Sequence, residues 1–266
     1  MGYANDAMVG GQWRPVASQF LKIGSKDGAD MKLGELVPGG TWAPASDSIK
    51  VLEEHTAVKF QATYFTWATI PPKQQNALIK KGINESNFVN GWYKQIDGAA
   101  DWDQNMNDEL LPFGTAILAV STGANTYFTS NGEVVQLDPG DKIQVSLVGG
   151  QWKFIANCTP VNLKLGDFVP AGTWAPASDS IKVLEEHTAV KFQATYFTWA
   201  TIPPKQQNAL IKKGINESNF VSGWYKQIDG AADWDQNMNN EDVLAGQGFL
   251  AVSTGTETVI TLPPAL

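Results

Sequence analysis

The chain repeats itself, and this repeat constrains the fold more than any other feature of the sequence. Residues 40–107 match residues 172–239 at a constant offset of 132, and 67 of these 68 positions are identical. The exception is Asn90, which corresponds to Ser222. The segment VGGQW also occurs twice, at residues 9–13 and 148–152. The sequence therefore predicts two copies of one module.

A repeat of this length can bury its own hydrophobic core, whereas the short units of a solenoid need their neighbours. The chain of 266 residues has room for two such units. We place the boundary between the tail of the first copy and the start of the second. The predicted modules span residues 1–140 and 141–266.

Strand-forming residues dominate each copy. Residues 49–55, 58–69 and 115–122 are rich in β-branched, aromatic and other apolar side chains. In residues 58–69, apolar side chains occupy both faces toward one end, which indicates burial on both sides. After residue 127, the SNG, DPG and GG segments predict tight turns between successive strands. The expected fold is mainly all-β, with two tandem, near-identical domains of β-sandwich or barrel-like form.

One segment in each copy predicts a helix. Pro71 and Pro72 favour a helix start, the following residues are good helix formers, and Gly82 suits the left-handed conformation that ends a helix. The second copy repeats this pattern at residues 203–214. Each domain is therefore expected to carry one short surface helix.

Charge and composition exclude several classes of function. The net charge is −8 and no cluster of Lys and Arg occurs, which argues against nucleic acid as a partner. No apolar run approaches the roughly 18 residues of a membrane span, so we expect no membrane insertion. Cys158 is the only cysteine, which excludes an intrachain disulfide.

No catalytic arrangement is recognisable in the sequence. His55 and His187 are the only histidines, one in each copy, and no GxSxG segment accompanies them. Cys158 has no counterpart in the first copy. If the module carried a catalytic site, both copies would be expected to contain its residues. We therefore expect a protein that is not an enzyme and has no cofactor other than a possible Ca²⁺ ion.

An Asp- and Asn-rich segment is the candidate Ca²⁺ site. In an extended chain, alternate residues project to one side, where carboxylate and amide oxygens can bind Ca²⁺. These candidate metal ligands are Asp101, Asp103, Asn105 and Asn107 in the first copy and Asp233, Asp235, Asn237 and Asn239 in the second. The segment lacks the Gly and the bidentate Glu of an EF-hand. The alternative is a solvated loop whose side chains bond their own backbone.

Tryptophan is unusually frequent, with ten residues in the chain at matched positions of the two copies. Exposed Trp rings stack on sugars or contact other proteins, and buried ones pack in cores. Trp67, on a long apolar segment, is expected in the core. The candidates for ligand or interface contact lie beside turn residues and are Trp42, Trp92, Trp102, Trp174, Trp224 and Trp234.

Two short segments, IAN at residues 155–157 and GQGFLAVSTG at residues 246–255, open and close the second copy. With the order of segments between them, they resemble a tandem repeat module of uncharacterised bacterial secreted or surface proteins. The first copy departs from this pattern, with VAS and FGTAIL at the corresponding positions. The resemblance implies a β-protein of structural character and brings no catalytic residues.

We therefore expect a non-enzymatic structural protein that self-assembles into a surface layer, sheath or filament. Its partner is a second copy of the chain, joined head to tail, because each end lacks strands that the middle of the chain has. The alternative is a carbohydrate-binding protein that uses exposed Trp and the Asp/Asn-rich loop, with or without Ca²⁺. The expected location is extracellular or at the cell surface, although no signal peptide is recognisable and a cytoplasmic location stays open.

Overall fold

The computed structural model describes residues 2–8, 11, 13–17, 31–40, 48–54, 57–94, 104–121, 126–132, 142–147, 149–150, 152–172, 180–186, 189–226, 236–253, 255 and 258–262. Their secondary structure is mainly β, as the sequence predicts, with two short α-helices. We refer to residues 1–140 as half one and to residues 141–266 as half two.

Half one forms a six-stranded sheet, a three-stranded sheet and a two-stranded ladder. The strands are β1 (Gly2–Ala7), β2 (Arg14–Val16), β3 (Met31–Lys32), β4 (Val37–Gly39), β5 (Ser48–Glu54), β6 (Ala57–Phe65), β7 (Gly91–Lys94), β8 (Gln104–Asn105), β9 (Leu110–Leu111), β10 (Ile117–Val120) and β11 (Tyr127–Gly132). The larger sheet has the order β2-β10-β5-β6-β7-β8, the smaller sheet has the order β1-β11-β4, and β3 pairs with β9.

Half two repeats this arrangement strand for strand. Its strands are β12 (Ile143–Leu147), β13 (Trp152–Ala156), β14 (Leu163–Lys164), β15 (Val169–Ala171), β16 (Ser180–Glu186), β17 (Ala189–Phe197), β18 (Gly223–Lys226), β19 (Gln236–Asn237), β20 (Asp242–Val243), β21 (Gly248–Val252) and β22 (Thr258–Leu262). The sheet orders are β13-β21-β16-β17-β18-β19 and β12-β22-β15, and β14 pairs with β20. Neighbouring strands in both halves are antiparallel.

Each half has one core to which both of its sheets contribute. In half one, Ile117, Ala119 and Trp92 of the six-stranded sheet join Phe128 of the three-stranded sheet in one buried cluster. Half two has the corresponding cluster, which includes Phe249 and Ile260. Among the described residues, each sheet order is open at both ends, so the sheets do not close on themselves. The barrel-like form is therefore wrong, because a barrel requires the first and last strands to pair.

The helix prediction is confirmed in both halves. Helix α1 spans Pro72–Lys80 and helix α2 spans Pro204–Lys212. Gly82 follows the first helix at φ 84°, a left-handed conformation that glycine adopts without strain. Helix α1 contributes its buried Leu78 to a small apolar cluster with Phe65 of β6. This contact explains why apolar residues occupy both faces of β6, because the core covers one face and the helix covers the other.

Of the three expected turns, SNG is wrong, GG is confirmed, and DPG at residues 138–140 lies outside the described residues. The SNG segment is not a turn, because β11 continues through it to Gly132 and pairs with β1. The GG segment does form a turn, with Gly150 at φ 77°. However, the strands on either side of it lie in different sheets, where β12 pairs with β22 and β13 pairs with β21. The N-terminal strand β1 thus takes the place in half one that β12 takes in half two.

Candidate functional site

The tryptophan candidates divide into buried residues and residues outside the described parts of the chain. Trp92 and Trp224 are 1% and 2% exposed, and each packs in the core of its half. Their indole N–H groups donate to the backbone oxygens of Leu36 and Phe168, each at 2.9 Å. Their proposed role as ligand or interface residues is wrong, because a buried ring offers no face to a ligand. Trp42, Trp102, Trp174 and Trp234 lie outside the described residues.

The structure describes the Asp/Asn-rich loop only from residue 104 onward. There the side-chain amides form hydrogen bonds with backbone groups. Asn107 Oδ1 accepts the backbone N–H of Trp92 at 2.8 Å, and Asn107 Nδ2 donates to the backbone oxygen of Asn90 at 3.2 Å. Asn105 Oδ1 accepts the N–H of Asn107 at 2.8 Å. These contacts match the alternative interpretation of a loop that bonds its own backbone. The carboxylates Asp101, Asp103, Asp233 and Asp235 lie outside the described residues.

The second copy of this loop has the same geometry. Asn239 accepts from the backbone N–H of Trp224 at 2.8 Å and donates to the backbone oxygen of Ser222 at 3.2 Å. Asn237 Oδ1 accepts the N–H of Asn239 at 2.8 Å. Ser222 is the one difference between the repeated blocks, and only its backbone oxygen takes part here. The loop geometry is therefore indifferent to this substitution.

A partly exposed aromatic cluster next to each helix is the best candidate site. In half one it consists of Trp67, Phe88 and Tyr93, and in half two of Trp199, Phe220 and Tyr225. The ring centroids of Trp67 and Phe88 are 5.8 Å apart, and those of Phe88 and Tyr93 are 5.3 Å apart in a stacked arrangement. Trp67 and Phe88 are partly buried against the apolar residues beneath helix α1. We call these two groups of three residues the aromatic clusters.

Hydrogen bonds hold the segments that carry the aromatic cluster of half one. Gln75 Nε2 of helix α1 donates to the backbone oxygen of Trp67 at 2.8 Å. The Tyr93 hydroxyl donates to the backbone oxygen of Val89 at 2.5 Å. Burial raises the pKa of Tyr93, and a hydrogen bond from Asn105 partly opposes this rise. The hydroxyl therefore stays protonated at neutral pH and remains a donor.

The loop after helix α1 is braced by its own side chains. Asn87 Nδ2 donates to the backbone oxygen of Gly82 at 3.0 Å, and Asn87 Oδ1 accepts the N–H of Asn84 at 2.6 Å. Asn84 Oδ1 in turn accepts the backbone N–H of Ser86 at 3.0 Å. The side chains of Asn84 and Asn87 thus hold the loop backbone that carries Phe88.

Comparison of the chain with models of protein families, with curated proteins and with solved structures gave no match. Within the described residues, no group of three or more His, Cys, Asp and Glu side chains is placed to hold a metal ion. His55 and His187 lie outside the described residues. No helix in the described parts of the chain is long and apolar enough to cross a membrane.

Exposed aliphatic side chains accompany both aromatic clusters. Ile79 on helix α1 is 52% exposed, and Val89, next to Phe88, is 60% exposed. Their counterparts Ile211 and Val221 are 52% and 61% exposed. Each half therefore shows the same apolar and aromatic residues to solvent.

Trp67 meets the sequence-based expectation only in part, because it is partly buried against the cluster beneath helix α1 and lies outside the main core of half one. Strand β6 ends at Phe65, and Trp67 begins a 3₁₀ turn that leads into helix α1. The two prolines at positions 71 and 72 were the available signal, because they mark a helix start only a few residues after Trp67. The turn between strand and helix takes Trp67 off the strand and places it at the partly exposed cluster.

Proposed function

We propose that this chain is a non-enzymatic structural protein of two tandem β-sandwich modules that self-assembles, at the cell surface or outside the cell, into a layer, sheath or filament. The sandwich form is supported by the single core between the two sheets of each half. The tandem organisation is supported by the identical strand orders of the two halves. The partner in this proposal is a second copy of the chain.

The observation that carries the proposal is the duplicated apolar surface. In each half an exposed Ile directly follows the buried Leu beneath the helix, and an exposed Val directly follows the Phe of the aromatic cluster. Apolar side chains grouped on a surface gain free energy when another surface removes them from water. A chain with two such surfaces is bivalent, so it binds one neighbour through each half.

Bivalence decides what kind of assembly results. Contact between the cluster of half two in one chain and the cluster of half one in the next would extend the assembly head to tail. The two clusters carry the same residues, so either cluster can meet either cluster of a neighbour, and chains that bind two neighbours in this way form open filaments unless the rotation between them closes a ring. A single surface would give only a dimer. The duplication therefore favours an extended structure.

Assembly is tested by negative-stain microscopy and analytical ultracentrifugation of the intact chain. We expect ordered polymers whose size increases with protein concentration. A variant with serine at the four exposed aliphatic positions next to the aromatic clusters (Ile79→Ser, Val89→Ser, Ile211→Ser and Val221→Ser) should stay monomeric. Because these side chains are exposed, the substitutions should leave the folded core unchanged, as checked by circular dichroism.

A matched control follows from the repeat. Changing only the half-one pair, Ile79→Ser with Val89→Ser, leaves one surface and should stop assembly at the dimer. Ala77→Ser on the same helix, which is also exposed, should assemble like the wild type. A wild-type chain that stays monomeric at millimolar concentration, or polymers that persist in the fourfold variant, would overturn the proposal.

Carbohydrate binding is the second candidate, and the specific observation in its favour is the aromatic clusters themselves. The Trp67 and Phe88 ring centroids lie 5.8 Å apart, and a partly exposed Trp ring is the kind of side chain that stacks on sugars. In this role Trp67 and Trp199 take the place of the buried Trp92 and Trp224, and Trp42, Trp102, Trp174 and Trp234 stay candidates. Trp67→Ala with Trp199→Ala should then abolish retention on polysaccharide columns, whereas the fourfold serine variant should retain binding. Equal retention of wild type and tryptophan variant would exclude this function.

A further inference from the structure

The two halves meet through a third buried cluster that belongs to neither core. It contains Leu118 of half one together with Phe154, Cys158 and Leu250 of half two, all at most 5% exposed. Leu118 and Leu250 occupy corresponding positions in the repeat. On the strand of Leu118, its neighbours Ile117 and Ala119 face the core of half one instead. The six-stranded sheet of half one thus buries one face inside its own half and the other against half two. We call this contact the seam.

Backbone pairing across the seam is reciprocal. Thr115 of half one forms a β-bridge with Ile155 of β13, and Gln247 of half two forms a β-bridge with Val16 of β2. The repeat relates these bridges, because Thr115 corresponds to Gln247 and Ile155 corresponds to Val16. Each half therefore covers the edge strand of the other in the same way.

The hydrogen bonds next to these bridges obey the same relation. The Ala156 N–H donates to the Gly114 oxygen at 3.0 Å, and the Ala17 N–H donates to the Gly246 oxygen at 3.2 Å. Ala156 corresponds to Ala17, and Gly114 corresponds to Gly246. An approximate two-fold axis thus relates the two halves at the seam. This is the geometry of an isologous dimer interface, in which the same patch of each partner contacts the other.

We propose that the seam is a self-association surface of the module, and that the partner it fits is a second copy of the module, supplied here by the other half of the same chain. The proposal does not rest on the function proposed above. Unpaired strand edges are templates for pairing with other chains. Because each half covers the edge of the other, the seam is closed to further chains. The halves should also hold together without the covalent link between them.

Sequence differences at the seam specify which halves pair. A Cβ atom added to Gly248 would lie 2.6 Å from Ala116 Cβ and 2.8 Å from Pro15 Cβ, closer than such atoms approach. Gly248 and Ala116 are corresponding positions that face each other near the axis. Two alanines there would collide, so one copy of half one does not fit a second copy of half one. Ala116 therefore excludes the pairing of half one with a second half one, and Gly248 allows half two to pair with half one.

The sharpest test cuts the link between the halves in the full-length chain. A protease recognition site is inserted within residues 133–140, the folded protein is cleaved, and the mass in solution is measured by light scattering and native mass spectrometry. We expect one species with the mass of the intact chain at micromolar concentration. Two separate species with half the mass would overturn the proposal.

Substitutions at the seam should weaken the cleaved complex specifically. Leu250→Ala deletes seam contacts and should raise the Kd of the two halves by about 30-fold or more. Gly248→Ala should separate the halves through its clash with Ala116, and adding Ala116→Gly should partly restore the complex. Leu210→Ala is the matched control, because this side chain lies beneath helix α2, outside the seam, and should leave the Kd unchanged. If Leu210→Ala weakens the complex as much as Leu250→Ala, the seam is not a distinct interface.

Discussion

The side chain of Asn107 forms hydrogen bonds with the backbone on both sides of Gly91, at the start of β7. Its amide accepts from Trp92 and donates to Asn90, so it joins the loop to the start of β7. The backbone of Gly91 passes so close to this amide that a Cβ atom there would overlap it. The Gly and the Asn are therefore required together.

Removal of this amide should destabilise the fold. We expect Asn107→Ala to lower the free energy of unfolding by about 1–2 kcal/mol, because the Trp92 N–H loses its acceptor. Urea denaturation measures the change. Asn239→Ala should cost the same amount, since its contacts are equivalent. Asn76→Ala on the exposed side of helix α1 is the control and should change stability by less than about 0.5 kcal/mol.

The bonding of the loop amides also predicts the response to calcium. Asn107 Oδ1 and Asn239 Oδ1 already accept backbone hydrogen bonds, which leaves a poorer ligand set for a cation than the sequence suggests. We expect equal melting temperatures in EDTA and in millimolar Ca²⁺, measured by scanning calorimetry. A higher melting temperature in Ca²⁺ would show that an ion stabilises the native state. In that case the carboxylates at residues 101 and 103 would be the first ligands to test.

Cys158 should be chemically inert in the folded chain. Its side chain is fully enclosed in the seam, and burial raises the pKa of the thiol to about 12. The thiolate, which is the reactive form, is then scarce at pH 8. We expect alkylation by iodoacetamide at pH 8 to be at least 100-fold slower in the native protein than in urea. Rapid alkylation of the native protein would show that the seam opens readily.

The same shift predicts how stability depends on pH. Because the folded thiol has the higher pKa, the unfolded state releases its proton first as the pH rises. The stability contributed by the neutral thiol is complete below about pH 9 and is lost progressively between about pH 9 and pH 12.

At the scale of elements, helix α1 carries two adjacent residues with different roles, one in packing and one at the surface. Leu78 is buried beneath helix α1 and Ile79, next to it, is largely exposed. We expect Leu78→Ala to lower the free energy of unfolding by about 2–4 kcal/mol because it opens a cavity beneath the helix. Ile79→Ala should change it by less than about 0.5 kcal/mol while affecting assembly. Equal losses of stability would contradict the assignment of the exposed face.

At the scale of the whole molecule, the seam should couple the two halves in unfolding. The expectation that each copy is self-sufficient omits Phe113 of half one, which packs against the core of half two and against the seam. Near-identical halves melt at similar temperatures even when independent, so one visible transition is not decisive. The ratio of calorimetric to van't Hoff enthalpy is decisive. We expect a ratio near 1, and a ratio near 2 would mean that the halves unfold independently.

The sequence by itself determined the repeat, the strand-rich character, the helix with its terminal Gly and the absence of a disulfide. These features are local or are counted along the chain, so residue types and their spacing suffice to find them. The two-sided burial of β6 was also predictable, because alternation along a strand assigns side chains to faces. The sequence did not indicate that the core covers one face of β6 and helix α1 covers the other.

Only the tertiary structure decided which tryptophans are buried, which strands pair and how the halves meet. Trp92 lies beside turn residues in the sequence, yet it is buried in the core, where its indole N–H donates to the backbone oxygen of Leu36. The turn at residues 149–150 looks like a hairpin, but its strands join sheets whose partners lie more than 90 residues away. The seam combines a buried cluster between the two six-stranded sheets with a β-bridge at the edge strand of each. Such contacts join residues far apart in the sequence and depend on the free energy of the whole packed chain. No single segment of the sequence therefore predicts them.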